Sequence, residues 1–346
     1  MLAGHRWLWV ACAALFLSIA GGGAMAAERL VVYSYDSFAS WGPAKQIEQG
    51  FEASHDVDVV FVAPGSSGEM LARLIAELDT GGTDADVFVG LSDTQLPEAL
   101  QRNLFRRLDT SLIPNLRDVP TALRFDRTGH VVPFDHGYIV LVYDREALSE
   151  AELPRTLEDL TRPSFRRKLI AIDPRTSSVG HAFLMWTIHT YGEDGYLDYW
   201  RRLRPSLLTV TGGWSEAYEM FTNKEAPIVV SYSTDAAYAV LSGEGLRYGI
   251  ITPQGEGYRQ IEGAGIVRTT DQPALAHAFI DYLLSPEVQA LLPSTQVMFP
   301  VNARAALPEA FEEYAVQPER PVWIEPDRIA AGNSRWLREW SRMITE

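Results

Sequence analysis

The chain has 346 residues, 47% of them hydrophobic, a content that excludes wholesale disorder and a length that predicts about two domains with sizeable cores. Its formal net charge of -15 argues against a nucleic-acid partner, which needs a basic surface. An acidic surface instead suits a cationic ligand, attracted at long range, although acidity for solubility alone gives the same sign.

His5 and Arg6 precede an apolar run from Trp7 to Ala20, which glycines and a small-x-small site, Ala24-Met25-Ala26, follow, so residues 1–26 read as a signal peptide. The run is too short and wrongly flanked for a spanning helix, and nothing later approaches ~18 uninterrupted apolar residues. The mature protein is therefore expected to be exported and soluble. Its only cysteine, Cys12, lies inside the segment, which leaves no thiol, disulfide or cysteine metal ligand in the mature chain. Losing the segment removes Arg6 and no acid, so the formal charge goes from -15 to -16.

Leu30-Val31-Val32-Tyr33-Ser34-Tyr35 reads as a buried strand that runs into a loop carrying Asp36, Ser37 and Trp41. Open α/β sheets place ligands just past the carboxyl ends of strands, and aromatic faces beside a carboxylate suit a flat cation. The same residues also fit ordinary core aromatics followed by a helix cap. Lys45 to Ser54 has helical spacing and Val57 to Val62 alternates as a strand does, an α/β opening. Ala63 to Gly68 forms a turn into a helix with Met70, Leu71, Leu74, Ile75 and Leu78 on one face. Ser66 and Ser67 stand at its start, where free N–H groups favour an anion or polar group and where a plain N-cap is also expected.

Asp86 to Gly90 is a third strand and Thr94 to Gln101 a short helix; Val131 to Tyr143 is a long extended run broken by Gly137, read as the crossing between two lobes. Leu169 to Ile172 is a strand leading through Asp173-Pro174-Arg175-Thr176-Ser177-Ser178 into an apolar helix, an order similar to that around Ser66. Strands are expected over Leu207–Thr211, Ile228–Tyr232, Tyr248–Ile251 and Ile261–Val267, the last returning the chain to the first lobe. A helix containing Trp214 and Phe221 separates the first two, Pro273–Leu284 is amphipathic, and Arg328–Ile344 reads as a closing helix. The resulting division is a signal peptide over 1–26, a discontinuous first lobe of 27–136 plus about 258–300, a second lobe of 137–257, and a C-terminal helical segment of 301–346 packing on the lobes.

These residues together resemble the periplasmic thiamine-binding proteins of ATP-driven import systems. The resemblance is carried in order by Tyr33-Ser34-Tyr35-Asp36-Ser37-Phe38 with Trp41-Gly42-Pro43, Pro133-Phe134-Asp135 with Gly137-Tyr138, and Asp173 to Ser178. It continues through Thr209-Val210-Thr211, Gly213-Trp214-Ser215-Glu216-Ala217-Tyr218 and Ser231-Tyr232, so it spans essentially the whole mature chain. It implies an α/β, two-lobed periplasmic-binding-protein fold of type II, each lobe a mixed sheet flanked by helices, closing by a hinge over a ligand in the interlobe cleft. Thiamine or a phosphorylated thiamine would lie among Tyr35, Trp214, Tyr232 and Tyr238 with Trp41 nearby, while Ser177 and Ser178, and by position Ser66 and Ser67, would meet its hydroxyl or phosphate end. No cofactor is implied. The partners implied are the small ligand, a membrane permease and its ATPase, with a monomeric, periplasmic receptor.

Two departures bear on the ligand. A tryptophan of the family is replaced by Val297 before Met298-Phe299-Pro300-Val301, removing one wall of the ring sandwich or leaving it to another residue. Asp235 stands where the family has a serine, and it either pairs with a cationic or aminopyrimidine group or caps the next helix. His136 replaces a usual tyrosine and is expected to be held in place by hydrogen bonding without touching ligand. A pyrimidine precursor, another organic cation and ferric iron remain alternative ligands, but Tyr232 and Tyr238 are six apart where iron sites use neighbouring tyrosines. Catalysis finds no support: Gly213-Trp214-Ser215-Glu216-Ala217 fails the nucleophile-elbow pattern at its last position and no His-Glu-x-x-His occurs. A structural or adhesive exported protein is the third class, and it predicts no ligand-dependent stabilisation.

Overall fold

The computed structural model describes residues 28–346, so the expected signal peptide and Cys12 lie outside the described residues. Eleven strands form one continuous sheet: β1 Glu28–Tyr33, β2 Val57–Val62, β3 Val87–Ser92, β4 Val131–Asp144, β5 Leu169–Ile172, β6 Leu207–Thr211, β7 Ile228–Tyr232, β8 Tyr248–Ile251, β9 Glu256–Ile266, β10 Phe299–Pro300 and β11 Arg320–Val322. Its main path runs β2-β1-β3-β9-β4-β7-β5-β6. β1 is parallel to β2 and β3, β5 is parallel to β6 and β7, and along this path β9 and β4 are antiparallel to their neighbours, while β11 adds to β9 in parallel, so the sheet is mixed. Among the described residues, no helix is long and apolar enough to cross a membrane.

Buried side chains fall into two main clusters, one for each lobe. The first takes Leu30 to Phe134 and then Ala264 to Val301. The second takes Ile139 to Ile251, Tyr258, and Val322 to Met343. The division falls inside β4 and β9, which are hydrogen-bonded to each other from Val131↔Gly265 to Ile139↔Tyr258 and carry the chain through both lobes. Gly137 does not break β4, contrary to the sequence reading. A Cβ there would lie 3.0 Å from Met298 Sδ, a tight contact that the flexible Met298 side chain would have to yield to.

Several boundaries move for local reasons. β1 ends at Tyr33 and Asp36–Ser40 is a short helix where a loop is expected, because Ala39 N–H returns to the Tyr35 carbonyl. The helix Ser67–Thr80 begins at N-cap Ser66, whose N–H donates to Glu69 Oε2 at 2.9 Å, the reciprocal half of a capping box. β9 starts at Glu256, earlier than its apolar pattern indicates, since Gln260 and Glu262 interrupt the hydrophobic run.

The closing helix, Pro326–Thr345, belongs to the second lobe's core. Ile329, Trp336, Trp340 and Met343 are buried there, with Trp340 edge-on to Trp200 at 5.5 Å between ring centres. Trp336→Ala removes a fully buried side chain and should lower unfolding free energy by about 3–5 kcal/mol. Urea denaturation monitored by circular dichroism measures this; a loss under about 1 kcal/mol would show that the helix is an appendage rather than core.

Candidate functional site

A narrow cleft with about 30 Å³ of free volume lies where the two lobes meet. From the first lobe it is lined by Tyr35, Asp36, Ser37 and Trp41, which follow the carboxyl end of β1, and by Ser66 and Ser67, which follow β2. From the second lobe come Ser177, Ser178 and Val179 after β5, Trp214 after β6, and Tyr232 at the end of β7. Each of these strands is parallel to a neighbour, so their carboxyl ends converge on one crevice, where ligands bind in open α/β sheets.

The aromatic residues meet across the crevice. Trp41 of the first lobe lies 5.5 Å from Trp214 of the second, ring centre to ring centre, and keeps 42% of its surface exposed at the mouth. Trp214 in turn stacks on Tyr218 at 4.8 Å, stands edge-on to Tyr232 at 6.0 Å, and donates its indole N–H to Ser231 Oγ at 2.8 Å. Tyr35 belongs to the first core and to the cleft at once, its ring edge-on to Phe38 at 5.9 Å. Its position depends on Gly90, at φ +104°: a Cβ there would lie 2.3 Å from Tyr35 Cε1.

The serine turns face each other across the gap. Ser178 N–H donates to Ser67 Oγ at 2.8 Å, Gly68 N–H to the Thr176 carbonyl at 2.8 Å, and Ser215 Oγ to Asp36 Oδ2 at 3.3 Å. The lobes are thus closed on each other, and the N–H expected to await an anion at Ser178 is already taken. A Cβ on Gly68 would lie 2.7 Å from the Arg175 carbonyl and 2.8 Å from that of Thr176, both in the opposite lobe. His181 completes the contact, its ring nitrogens 3.1 Å from Thr94 Oγ1 of the first lobe and 2.7 Å from Asn333 Oδ1 of the closing helix.

The floor of the cleft was not expected from the sequence: it is Glu262, from the middle of β9. Tyr35 donates to its Oε2 at 2.6 Å and Gln260 to its Oε1 at 2.8 Å. Burial raises its carboxyl to about 7, against the lowering pull of those two hydrogen bonds. Directly across the ladder is Asp135, fully buried, whose carboxyl is raised well above the usual range by burial and by the Glu262 charge. The Tyr35 and Tyr232 hydroxyls are raised too, first by burial and then by Glu262. Alternation of Gln260 and Glu262 in the stretch Gln260–Ile266, apolar apart from these two, is the sequence signal for this floor, since both fall on one face.

Two expected site residues are not in the lining. Asp235 is fully buried in the first turn of the helix Asp235–Leu241, behind Tyr232, and burial raises its carboxyl to about 7. It neither caps that helix, a position held by Thr234, nor faces the cleft. Tyr238 is one turn further along the same helix and is carried away from the cleft with it. His136 is also off the cleft, on the strand face opposite Asp135, stacked on Phe299 at 5.3 Å; its Nδ1 has no hydrogen-bond partner.

Gln296, beside Val297, lines the cleft as well. Val297 itself is 1% exposed and turns inward at φ +62°, a strained conformation for a β-branched residue, with its carbonyl accepting from Thr234 Oγ1. That turn delivers Gln296 into the cleft, where its amide donates to the Tyr35 hydroxyl. Among the described residues, no Lys or Arg lines the cleft, and no group of three His, Cys, Asp or Glu side chains is placed to hold a metal ion.

A family model described as bacterial extracellular solute-binding protein matches residues 83–331. The thiamine-binding periplasmic protein of Brucella abortus is 35% identical over 320 residues, covering 92% of each chain. A solved periplasmic thiamin binding protein superposes with a TM-score of 0.83 at 33% identity, over 92% of this chain and 96% of its own. The apo ferric ion-binding protein A of Pasteurella haemolytica, at 17% identity and a TM-score of 0.73, covers 92% and 98% and shares the fold alone. The chain is therefore a transport component and not an enzyme: it belongs to the bacterial extracellular solute-binding proteins and, among them, to the family of the thiamine-binding periplasmic proteins.

Proposed function

We propose that this protein is the periplasmic receptor of an ABC importer, a monomer that captures thiamine in the interlobe cleft and delivers it to a membrane permease and its ATPase. The observation that carries the reading is the cleft itself: aromatic faces from both lobes, Tyr35, Trp41, Trp214 and Tyr232, over a buried acidic floor at Glu262. Rings supply stacking and cation–π attraction to a thiazolium, and the carboxyl supplies a counter-charge. Thiamine is the cargo, and no cofactor is needed for capture.

Free thiamine fits this lining better than its phosphate esters. Asp36 and Glu262 are acidic, no cationic side chain among the described residues faces them, and the Ser178 N–H is already engaged. Iron is disfavoured because Tyr232 lines the cleft without a second tyrosine ligand from Tyr238 and without a metal-binding acidic cluster among the described residues.

Isothermal titration should show thiamine binding at least as tightly as its mono- and diphosphate and more tightly than the pyrimidine precursor; no heat with thiamine, together with binding of another compound, would overturn the ligand while leaving the fold. Thiamine at ~100 times its dissociation constant should stabilise the protein by about 2.7 kcal/mol in a thermal shift. Trp214→Ala, which removes up to about 2 kcal/mol of cation–π attraction, should weaken binding by up to about 30-fold with both cores intact. Gly68→Val should fold normally yet fail to contract on adding thiamine in small-angle X-ray scattering, and lose at least about tenfold in affinity, equivalent to ~1.4 kcal/mol. Normal contraction would mean that the backbone contact at Thr176 is not part of closure.

A further inference from the structure

We propose that Asp135 and Glu262 form a carboxyl pair that holds a proton in the empty cleft and releases it when a cation seats against Glu262, so that capture is coupled to proton release. The inference rests on the receptor reading above and deepens it: it assigns the counter-charge, the residue behind it, and a dependence on pH.

The pairing follows from strand register. Asp135 of β4 is opposite Glu262 of β9 in an antiparallel ladder, just past an irregularity between Pro133 and Asp135, and cross-strand partners share one face. Both are buried, Asp135 completely and Glu262 to 1%. Glu262 is held from the sides by Tyr35 and Gln260 and reaches the cleft. Asp135 has no hydrogen-bond partner for either oxygen, and neither residue makes an ion pair among the described residues. Two carboxylates so placed cannot both ionise without a cation, because each charge raises the cost of the other in a poorly solvated site. The empty pair therefore keeps a proton.

A cation over Glu262 reverses this balance. The carboxylic O–H bond breaks, its electron pair stays on the oxygen, and the proton leaves to solvent, leaving an ionised Glu262 facing the bound charge. Asp135 does not touch the ligand; it acts through the mutual cost of charging both carboxyls, a charge on either one raising the proton affinity of the other. A neutral ligand of the same shape gains nothing from the release, so the pair selects for charge as well as for a flat ring.

The sign of the pH dependence follows. Glu262 is raised to about 7, so below that pH a proton must be displaced for each cation bound and affinity should rise by up to about tenfold per pH unit, levelling off above it. The groups facing the pair are Tyr35 from the segment after β1, Tyr232 from β7, and Asp93 from the segment after β3, the last raised to about 7 by burial and drawn down by Arg259. Asp235, behind Tyr232, is likewise raised to about 7. Because Asp93 and Asp235 titrate in the same range, the pH profile is read against substitutions of the pair itself.

The test is thiamine titration calorimetry near pH 7 in phosphate and in Tris, whose ionisation heats differ, together with affinity measured from about pH 6 to about pH 8. For the unaltered protein the two heats should differ by the heat of transferring up to one proton to buffer, and affinity should tighten with pH. Glu262→Gln should abolish both effects, with thiamine's own ring protonation, common to both proteins, cancelling in the comparison. Asp135→Asn should retain proton release but move the affinity profile to lower pH, and Asp93→Asn should leave the coupling in place. Equal heats in the two buffers, or an affinity flat with pH in the unaltered protein, would overturn the pair and leave the receptor reading standing. Absence of thiamine binding at every pH would overturn both. The two-buffer measurement needs no variant, so it decides even if Glu262→Gln fails to fold.

Discussion

The structure depends on two strands that do not stop at the boundary between lobes. β4 and β9 are joined by eight cross-strand pairs, from Val131↔Gly265 to Ile139↔Tyr258 with Phe134 passed over, and each enters one core and leaves in the other. A two-stranded ribbon can bend and twist while keeping its hydrogen bonds, whereas the packed layers on either side cannot deform continuously. Any swing of one lobe against the other therefore bends this part of the sheet. The same register that makes the hinge also places Asp135 beside Glu262, so the pivot and the floor of the cleft are one element.

Above that floor the lobes contribute complementary halves. The first gives Tyr35 and Trp41, the second Trp214 and Tyr232, and closure brings Trp41 against Trp214. Aromatic side chains suit such a task because they bury large surfaces with few rotatable bonds, so little conformational entropy is lost on ordering them. Closure is registered by short polar contacts at the rim, Ser67 with Ser178 and Gly68 with Thr176, which are directional where the ring contacts are tolerant. Ring stacking supplies attraction, and the rim contacts fix how far the lobes swing.

What the sequence could reveal of this follows from which residues sit at strand ends. Tyr35, Trp41, Ser67, Ser178 and Trp214 follow parallel strands with clear apolar patterns, and β2, β5, β6, β7 and β8 have the boundaries their patterns predict. Glu262 and Gln260 escaped because they lie within a strand, where a polar residue ordinarily marks a solvent face; burial on both sides of β9 is a tertiary fact. Gln296 escaped because only the left-handed backbone at Val297 turns it inward, and nothing in a β-branched residue announces that conformation. Asp235 and Tyr238 lie off the lining for the converse reason. Adjacency to Tyr232 in sequence placed them near the cleft, but the helix that begins at Asp235 turns its first residues into the interior.

Neither lobe is a contiguous stretch of chain. The first core is not complete until Ala264 to Val301 have joined it, and the second waits for Trp336 and Trp340 close to the C-terminus. A polypeptide emerging N-terminus first can accumulate strands and helices from the outset, but it cannot seal the first hydrophobic interior before Val301 is available, nor the second before Met343.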